Sequence, residues 1–512
     1  MHTPSDVLVV GAGPVGLTAA CQLARLGVRV RVVDLLEQAT TESRAVAIHA
    51  RSMEMLAAMG VLPQLEARGR RIDALELTDG RSGRTRVRMS LAEAPSRHPY
   101  VLDIPQPDTE AVLAERAAGL GIVVERGVEV TALTQDPAGV AVTLRSAAGE
   151  ETARVGWVVG ADGGHSTTRH LVGERLEGSF HGQTFAMADV DVETSFSPDT
   201  IRMFTHPDGM GILFPLAGSR ARIMFFVAPP EPGAGDPTLA QIQALADARM
   251  GGRVTVRNPR WLTYFEIHHA QVPRYRHDRV LLAGDAAHIH SPAGAQGMNT
   301  GIQDAANLAW KLALVVRGHA AADLLDTYQE ERHPVGASVV RNTTLLTNVG
   351  TASGVEAAVR NAALFVAGHH HRISDAAATR MAELTVRYRD SRLSVQHGGA
   401  LRAGDFAPDP VGLTRPDGSP VAVEELLTTP GLLLLARGPA DPLREVLGDL
   451  GTVLEVGADL LDPADSLRLG AAGMMLVRPD GYLGLVADTV DPALLRDYVA
   501  GVLHVVGEPS VG

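Results

Sequence analysis

The segment from Asp6 to Asp34 constrains the fold more than any other. An apolar run, DVLVV, passes directly into Gly11-Ala12-Gly13-Pro14-Val15-Gly16. Leu17, Ala20, Leu23, Ala24 and Leu26 then recur at helical spacing, and Val28 to Val33 reads as a second strand ending in Asp34. Strand, glycine turn, helix and strand in this order predict the opening unit of a dinucleotide-binding α/β sheet. Gly11 permits the tight turn, Gly13 lets backbone approach a pyrophosphate, Gly16 lets the helix pack on the strand, and Asp34 can accept both hydroxyls of a ribose. Cys21 falls on the helix as a small core residue.

Two later stretches repeat the pattern. Trp157 to Arg169 (WVVGADGGHSTTR) is an apolar strand ending in glycines, with Asp162 at its tip and a helix beginning near Ser166. Arg279 to Asp304 (RVLLAGDAAHIHSPAGAQGMNTGIQD) holds a buried strand, the pair Gly284-Asp285, a glycine loop and a helical pattern from Ile302 to Val316. Asp285 can accept hydrogen bonds from a hydroxylated ligand, while exposed N–H groups near Met298 and Asn299 face negative charge.

The remainder divides by periodicity. Arg44 follows the ribose strand closely enough to reach a phosphate, a helix runs from near Ser52 to Gly60, and strand-like runs fill residues 72–104 until Pro105. Gln106 precedes a helix from Thr109 to Ala118, and Ile122 to Val130 and Val140 to Leu144 read as hairpin strands. Residues 180–270 alternate apolar and polar residues between turn signals, which predicts an antiparallel sheet with a helix near Leu239 to Met250. Ile201, Met203, Phe204, Met210, Ile212, Phe214, Phe225 and Phe226 would give that sheet a broad apolar face. A long helical region is expected to continue to about residue 390, bent by Pro334. Its His369, His370 and His371 point in different directions on a helix and are expected to be exposed rather than metal-binding. A Pro/Gly-rich linker near residue 400 leads to a tail that reads strand, helix, strand, strand, strand, helix, a thioredoxin-like order.

Composition removes several functions. With 46 basic against 59 acidic residues and a net charge of −13, no nucleic-acid partner is expected. The single cysteine excludes an intramolecular disulfide, a CxxC pair and a Cys-based metal site. No apolar run approaches the roughly 20 residues that span a bilayer, and the strand at Asp6 leaves no room for a signal peptide. The expectation is a soluble cytoplasmic protein without metal or membrane partner, and 512 residues suffice for two or three domains.

With these segments in hand, the chain resembles the class A FAD-dependent aromatic hydroxylases, the superfamily of para-hydroxybenzoate hydroxylase and phenol hydroxylase. The resemblance covers roughly residues 5 to 395 and rests on GAGPVG at Gly11 to Gly16, GADGGHSTTR at Gly160 to Arg169, and GDAAHIHSPAGAQGMNTG at Gly284 to Gly301. The tail is similar to the thioredoxin-like domain of polyketide-tailoring members. It implies an α/β fold with a Rossmann-like FAD-binding domain (residues 1–179 and 271–398, including the helical region 303–390), an inserted antiparallel-sheet substrate domain (180–270, with contributions from 72–104) and a thioredoxin-like domain (399–512). Without a cysteine the last domain is expected to scaffold or to support a homodimer.

The resemblance also implies roles. Gly11, Gly13, Pro14, Val15 and Gly16 would hold the pyrophosphate, Asp34 the adenosine ribose, Arg44 and Gln106 other parts of FAD, and Asp162 both FAD and the nicotinamide cofactor. Asp285 would bind the ribityl chain, Gly297, Met298 and Asn299 would point N–H groups at the flavin pyrimidine edge, and Pro292 would border the reacting carbon. NADPH or NADH, a transient co-substrate without its own Rossmann domain, would reduce FAD. O2 would add at flavin C4a, and the hydroperoxide would deliver oxygen to an electron-rich ring. The tyrosine and arginine that activate and bind substrate in the benzoate enzyme are unmatched here, so a phenolic or polycyclic aromatic such as a polyketide intermediate is the expected small-molecule partner. Tyr100, Met203, His206, Met210, Phe214, Phe225 and Tyr264 are the residues expected to touch it. The alternatives are a catabolic phenol-type hydroxylase, an epoxidase or dehydrogenase on the same scaffold, or an FAD-binding sensor.

Overall fold

The structure, a computed structural model, describes residues 5–43, 45–231, 233–289, 295–351, 379–380 and 382–504. The strands Val7–Val10, Val30–Asp34, Val124–Arg126, Trp157–Gly160 and Val280–Leu282 run parallel in one sheet, edged by the antiparallel Arg276–His277. VLVV, WVVG and VLL are buried along their whole length, as strands covered on both faces must be. The first strand lies between Val30–Asp34 and Trp157–Gly160, so chain connections leave its two sides in opposite directions. That switch point opens a crevice at the carboxyl ends of the strands. The helix Pro14–Arg25 covers one face and packs along the helix Gly297–Val316. The strands Glu129–Asp136, Gly139–Ser146 and Gly149–Val155 form a separate antiparallel layer.

A second large sheet has eight strands, in the order His288–Ile289, Val254–Gln271, Glu177–Thr194, Arg220–Val227, Gly211–Pro215, Thr200–Thr205, Ala74–Asp79 and Thr85–Ser90. All its pairings are antiparallel except that of Thr200–Thr205 with Ala74–Asp79. Alternation along the strands separates two apolar faces. Phe185, Met187, Met210, Ile212, Phe214 and Met224 turn toward Ala47, Ile72 and Val101 of the first lobe. Ala186, Ala188, Phe204, Ile223 and Phe225 turn the other way, under the helix Leu239–Met250.

Beyond residue 390, the strands Val395–His397, Leu483–Ala487, Met474–Val477, Leu432–Ala436 and Gly451–Glu455 make a third, five-stranded sheet in that order. Its LLLLA and MMLV strands are wholly buried between two apolar clusters. The tail helices are shorter than expected. Asp441–Leu447 passes into the 3-10 turn Gly448–Leu450, and Pro492–Asp497 continues as a π-helix, Tyr498–Val502.

The helical region also differs from expectation. Its first helix ends at Val316, a 3-10 turn (Ala322–Leu325) follows, and Asp326–Thr351 resumes with Pro334 inside it. Residues 382–390 are turns and extended chain rather than helix. His369, His370 and His371, together with Arg44 and Pro292, lie outside the described residues.

Candidate active site

Strand register brings the three motifs to one edge. Val10 pairs with Gly160 and Gly160 with Leu282, so Gly11, Ala161 and Ala283 leave the sheet side by side. Gly11 has φ +100, and a Cβ there would lie 2.4 Å from the Ala161 carbonyl oxygen. A Cβ on Gly16 would lie 1.9 Å from the Gly11 carbonyl oxygen. These two glycines are therefore required by the protein's own packing. Gly13 differs, because a Cβ there would meet nothing within 4 Å. Its openness matches a position reserved for a ligand, at the start of a helix with no side-chain cap, where the helix dipole favours an anion. Val15 wedges into the third motif: a Cβ on Gly284 or Gly301 would come within 2.9 or 2.5 Å of its Cγ2.

Asp34, at the end of its strand, accepts from the Ala12 N–H at 2.6 Å and the Leu36 N–H at 2.8 Å, with Arg126 Nη1 at 3.5 Å. A carboxylate has about four acceptor positions, so two remain for hydroxyl groups. Gln106 begins the helix Gln106–Gly119. Its side chain accepts from the Ala45 N–H at 3.2 Å and donates to Glu110 at 2.9 Å, and its own N–H donates to Ser43 Oγ at 3.1 Å. The glutamine thus fixes the segment on either side of position 44. Burial pushes Glu110 up to about 6 against the pull of Gln106 and Arg126.

Asp162 is less available than expected. Both of its oxygens accept from its own loop, Oδ1 from Ser166 Oγ at 2.5 Å and Oδ2 from the Thr168 N–H at 2.9 Å and Thr168 Oγ1 at 3.0 Å. The carboxylate is a loop organiser, a role that an Asp-Gly-Gly tip before a helix invites. Arg169, which sequence reasoning left without a role, is buried and donates to the carbonyls of Ala286 at 3.2 Å and Gly164 at 2.7 Å. It ties the second motif to the third.

The third motif begins its helix earlier than Ile302. Gly297 opens it, so the N–H groups of Gly297, Met298 and Asn299 are those left without intrahelical partners. Asn299 is fully buried, accepts from the His49 N–H at 2.9 Å, and donates to the carbonyls of Ala47 at 2.9 Å and Ala295 at 2.8 Å. Its side chain sets where the helix starts and leaves its backbone N–H for the crevice. Asp285 is exposed, in the 3-10 turn Gly284–Ala286.

Beneath this turn lies a polar cluster missed in the sequence. Asp304 accepts from the Gly284 N–H at 3.1 Å and from Arg332 Nε at 2.7 Å, and it contacts His288 Nε2 at 2.7 Å. Arg332 also donates to the Thr300 carbonyl at 3.0 Å and to Tyr388 at 2.9 Å. Burial raises the Asp304 pKa, but Arg332 and His288 outweigh it and hold the carboxyl below its ordinary range. Asp304 falls one helical turn after Thr300 on a helix otherwise rich in apolar residues, and that misplaced charge is the signal that could have found it.

The apolar face opposite the crevice sorts the substrate candidates. Met210 and Phe214 are buried in the cluster facing Ala47, and Met203 packs partly exposed against it, as do Phe226, Trp261 and Ala295. Phe225 and Tyr264 turn to the other face, because successive strand residues alternate and Met224 and Phe226 take the near side. Tyr100 packs in the core of the first lobe, with its hydroxyl donating to Glu66 and Arg71 4.7 Å from its ring. His206 sits in its own turn, accepting from the Asp208 N–H at 3.2 Å. These four lie off the apolar cluster that Met210 and Phe214 share.

Three glycine motifs at one parallel-sheet edge, beside a second sheet with an apolar face, define a dinucleotide-binding α/β protein. Residues 4–343 match the FAD binding domain family. The chain is 37% identical over 511 residues to the 6-methylpretetramide 4-monooxygenase of Streptomyces rimosus, covering 93% of this chain and 90% of that protein. Among solved structures it is similar to the OxyS anhydrotetracycline hydroxylase of Streptomyces rimosus, with a TM-score of 0.81, 31% identity and coverage of 98% and 99% of the two chains. Aklavinone-11 hydroxylase in ternary complex with FAD and aklavinone gives a TM-score of 0.81 at 26% identity, over 98% and 100% of the two chains. The chain belongs to the FAD-binding class A aromatic hydroxylase family, in its polyketide-tailoring branch. It is an FAD-dependent aromatic monooxygenase, an activity that consumes O2 and a reductant. Among the described residues no helix is long and apolar enough to cross a membrane, and no group of His, Cys, Asp and Glu could hold a metal ion.

Proposed function

We propose that this enzyme hydroxylates a polycyclic phenol of the polyketide type. The observation that carries this reading is the broad, methionine-rich face formed by Met187, Met203, Met210, Phe214, Met224 and Phe226, which lies opposite Ala47 and Ala295 at the crevice. Thioether and phenyl groups mould to extended aromatic rings. The relatives named for tetracycline intermediates and aklavinone support the same class.

Bound FAD, once reduced by NADPH or NADH, supplies the activation of O2. The chain's own residues bind, orient and exclude water. Gly11, Gly13, Pro14, Val15 and Gly16 take the pyrophosphate at the helix N-terminus, Asp34 the ribose, Gln106 and Arg44 the adjoining phosphate region, and Asp285 the ribityl hydroxyls. The N–H groups of Gly297, Met298 and Asn299 stabilise negative charge on the ring, with Pro292 beside the reacting position and Asp162 fixing the neighbouring loop. The apolar face keeps water from the oxygen-transfer step.

We also assign residues 1–179 and 271–398 to the FAD lobe, 180–270 to the substrate lobe and 399–512 to a thioredoxin-like lobe that supports a homodimer in the cytoplasm. In the last lobe the parallel pair Leu432–Ala436 and Gly451–Glu455, followed by antiparallel Met474–Val477 and Leu483–Ala487, has the strand order of that fold and supports the assignment. The test is NAD(P)H oxidation by the purified holoenzyme across monocyclic phenols and polycyclic hydroxyquinones, with isotope-labelled O2. Polycyclic compounds should stimulate oxidation and gain one labelled oxygen. Preference for monocyclic phenols, or product without label, would refute the proposal.

A further inference from the structure

One buried polar group takes no part in the roles above. Alternation along Val101–Asp103 sends Leu102 into the core of the first lobe and turns Val101 and Asp103 toward the substrate sheet. Asp103 stands between Ala47 and Arg70 in strand register, and Arg70 reaches across to donate to the Leu216 carbonyl at 2.6 Å. On the facing sheet, Phe214, Arg222, Asp189 and Trp261 occupy one row across four neighbouring strands. Asp189 is taken up by Arg220, which donates to both oxygens at 2.8 Å, while Arg222 reaches it only through Nη2 at 3.3 Å.

That leaves four atoms without a partner. Arg222 and Asp103 are each 0% exposed, and Nε and Nη1 of the one and both carboxyl oxygens of the other make no hydrogen bond among the described residues. Folded proteins rarely leave one such atom unpaired, and four on two side chains of facing sheets point to a place where another molecule's polar atoms belong. The charge balance says which kind. Arg70, Arg220 and Arg222 supply three cations against Asp189, with Asp108 4.0 Å from Arg220 at the rim. Burial pushes the Asp103 carboxyl well above its ordinary range, against the pull of Arg222 and Arg70. The location is adjacent to the pocket, since the Trp261 ring lies 5.4 Å from the Arg222 guanidinium and packs on the cluster that contains Ala47 and Phe214.

Resting on the polycyclic-phenol reading, we propose that Arg222 and Asp103 form the polar end of the substrate pocket and bind the oxygenated edge of the aromatic substrate. Arg222 Nε and Nη1 donate to an ionised phenolic or enolic oxygen, and Asp103 donates to the neighbouring carbonyl oxygen. The substrate O–H bond breaks, its proton passes to solvent buffer, and the electron pair stays on oxygen, from which it enriches the ring carbon that receives oxygen. This provides substrate activation without the tyrosine that Met203 and Phe204 replace. The selected substrates carry a phenol beside a ketone or quinone carbonyl.

The test uses FAD-loaded enzyme with emodin, a hydroxyanthraquinone, and its fully O-methylated derivative. Wild type should bind emodin with the red-shifted absorption of its ionised form and bind the methylated compound about tenfold or more weakly. Arg222→Met should abolish both the shift and the preference, Arg222→Lys should recover part of each, and Asp103→Val should reduce the preference alone. If wild type binds neither compound, the polycyclic reading fails and this proposal falls with it. If both bind equally, or emodin binds unshifted, the substrate reading stands and the polar end is refuted. Loss of FAD or thermal stability in Arg222→Met with the preference intact would assign the pair to structure alone. Should Arg222→Met not fold, the wild-type comparison and Asp103→Val decide.

Discussion

Replacing Asp304 with asparagine should separate flavin retention from the flavin-contacting residues themselves. The substitution preserves shape but removes the charge that faces Arg332 and His288 at 2.7 Å each, in surroundings where all three side chains are 0% exposed. Removing one partner of a buried pair strands the other, at a cost of about 3 to 5 kcal/mol. At roughly 2 °C per kcal/mol for a lobe of this size, the melting point should fall by about 6 to 10 °C. Asp304 also accepts the Gly284 N–H at 3.1 Å, so the turn carrying Asp285 loses part of its support and FAD should dissociate more readily. Flavin fluorescence during a thermal ramp reads both quantities. Because the folded pKa of Asp304 is depressed, its contribution is complete above the unfolded value and drains away as pH falls through the folded one. The gap between wild type and variant should therefore narrow below about pH 4. A variant that melts within about 1 °C of wild type at neutral pH would refute the reasoning.

Other perturbations probe other parts of the site. Gly13→Ala should leave the apo fold unchanged yet lower FAD affinity, since its Cβ meets no protein atom, whereas Gly11→Ala should destabilise the apoprotein through the 2.4 Å approach to Ala161 and the φ of +100; circular dichroism and flavin titration of both would expose an error in either. Asp285→Ala should weaken FAD binding by about 1 to 3 kcal/mol, and unchanged flavin content on purification would sink its ribityl role. Glu383 is fully buried and pushed by that burial up to about 8, so folding takes up a proton and the associated stability is lost as pH rises from 4.5 through 8. Glu383→Gln should flatten the fall in melting temperature over that window; an unaltered pH profile would show that Glu383 does not titrate there.

The motifs were readable because each is a local demand of the backbone. A turn at which a Cβ would lie 2.4 Å from a neighbouring carbonyl oxygen admits only glycine, and the sequence shows glycine there. Face assignment along the substrate sheet was not readable, since one residue of register decides whether Phe225 or its neighbours Met224 and Phe226 meet the pocket. Register is set by pairing with distant strands such as Gly211–Pro215 and Glu177–Thr194. The charged clusters were hidden for the same reason. Arg222 looks like a surface residue in RARIMFF until Asp189 and Asp103 are brought against it. Asp162 is the converse case: its motif is legible in the sequence, while the partners of its carboxylate, Ser166 and Thr168, emerge only from the fold.

The one lysine in the chain, Lys311, lies in the seam between the flavin helix and the C-terminal sheet. There Lys311 Nζ and Arg478 converge on Glu331, at 2.7 Å in each case, and Arg478 also meets Asp480 at 2.6 Å, all with side chains no more than 1% exposed. Amine-directed reagents therefore find no lysine on the folded surface and reach Lys311 only when this seam parts. A single acylation or cross-link at that position is thus a built-in clock for how often the C-terminal lobe lifts from the flavin lobe.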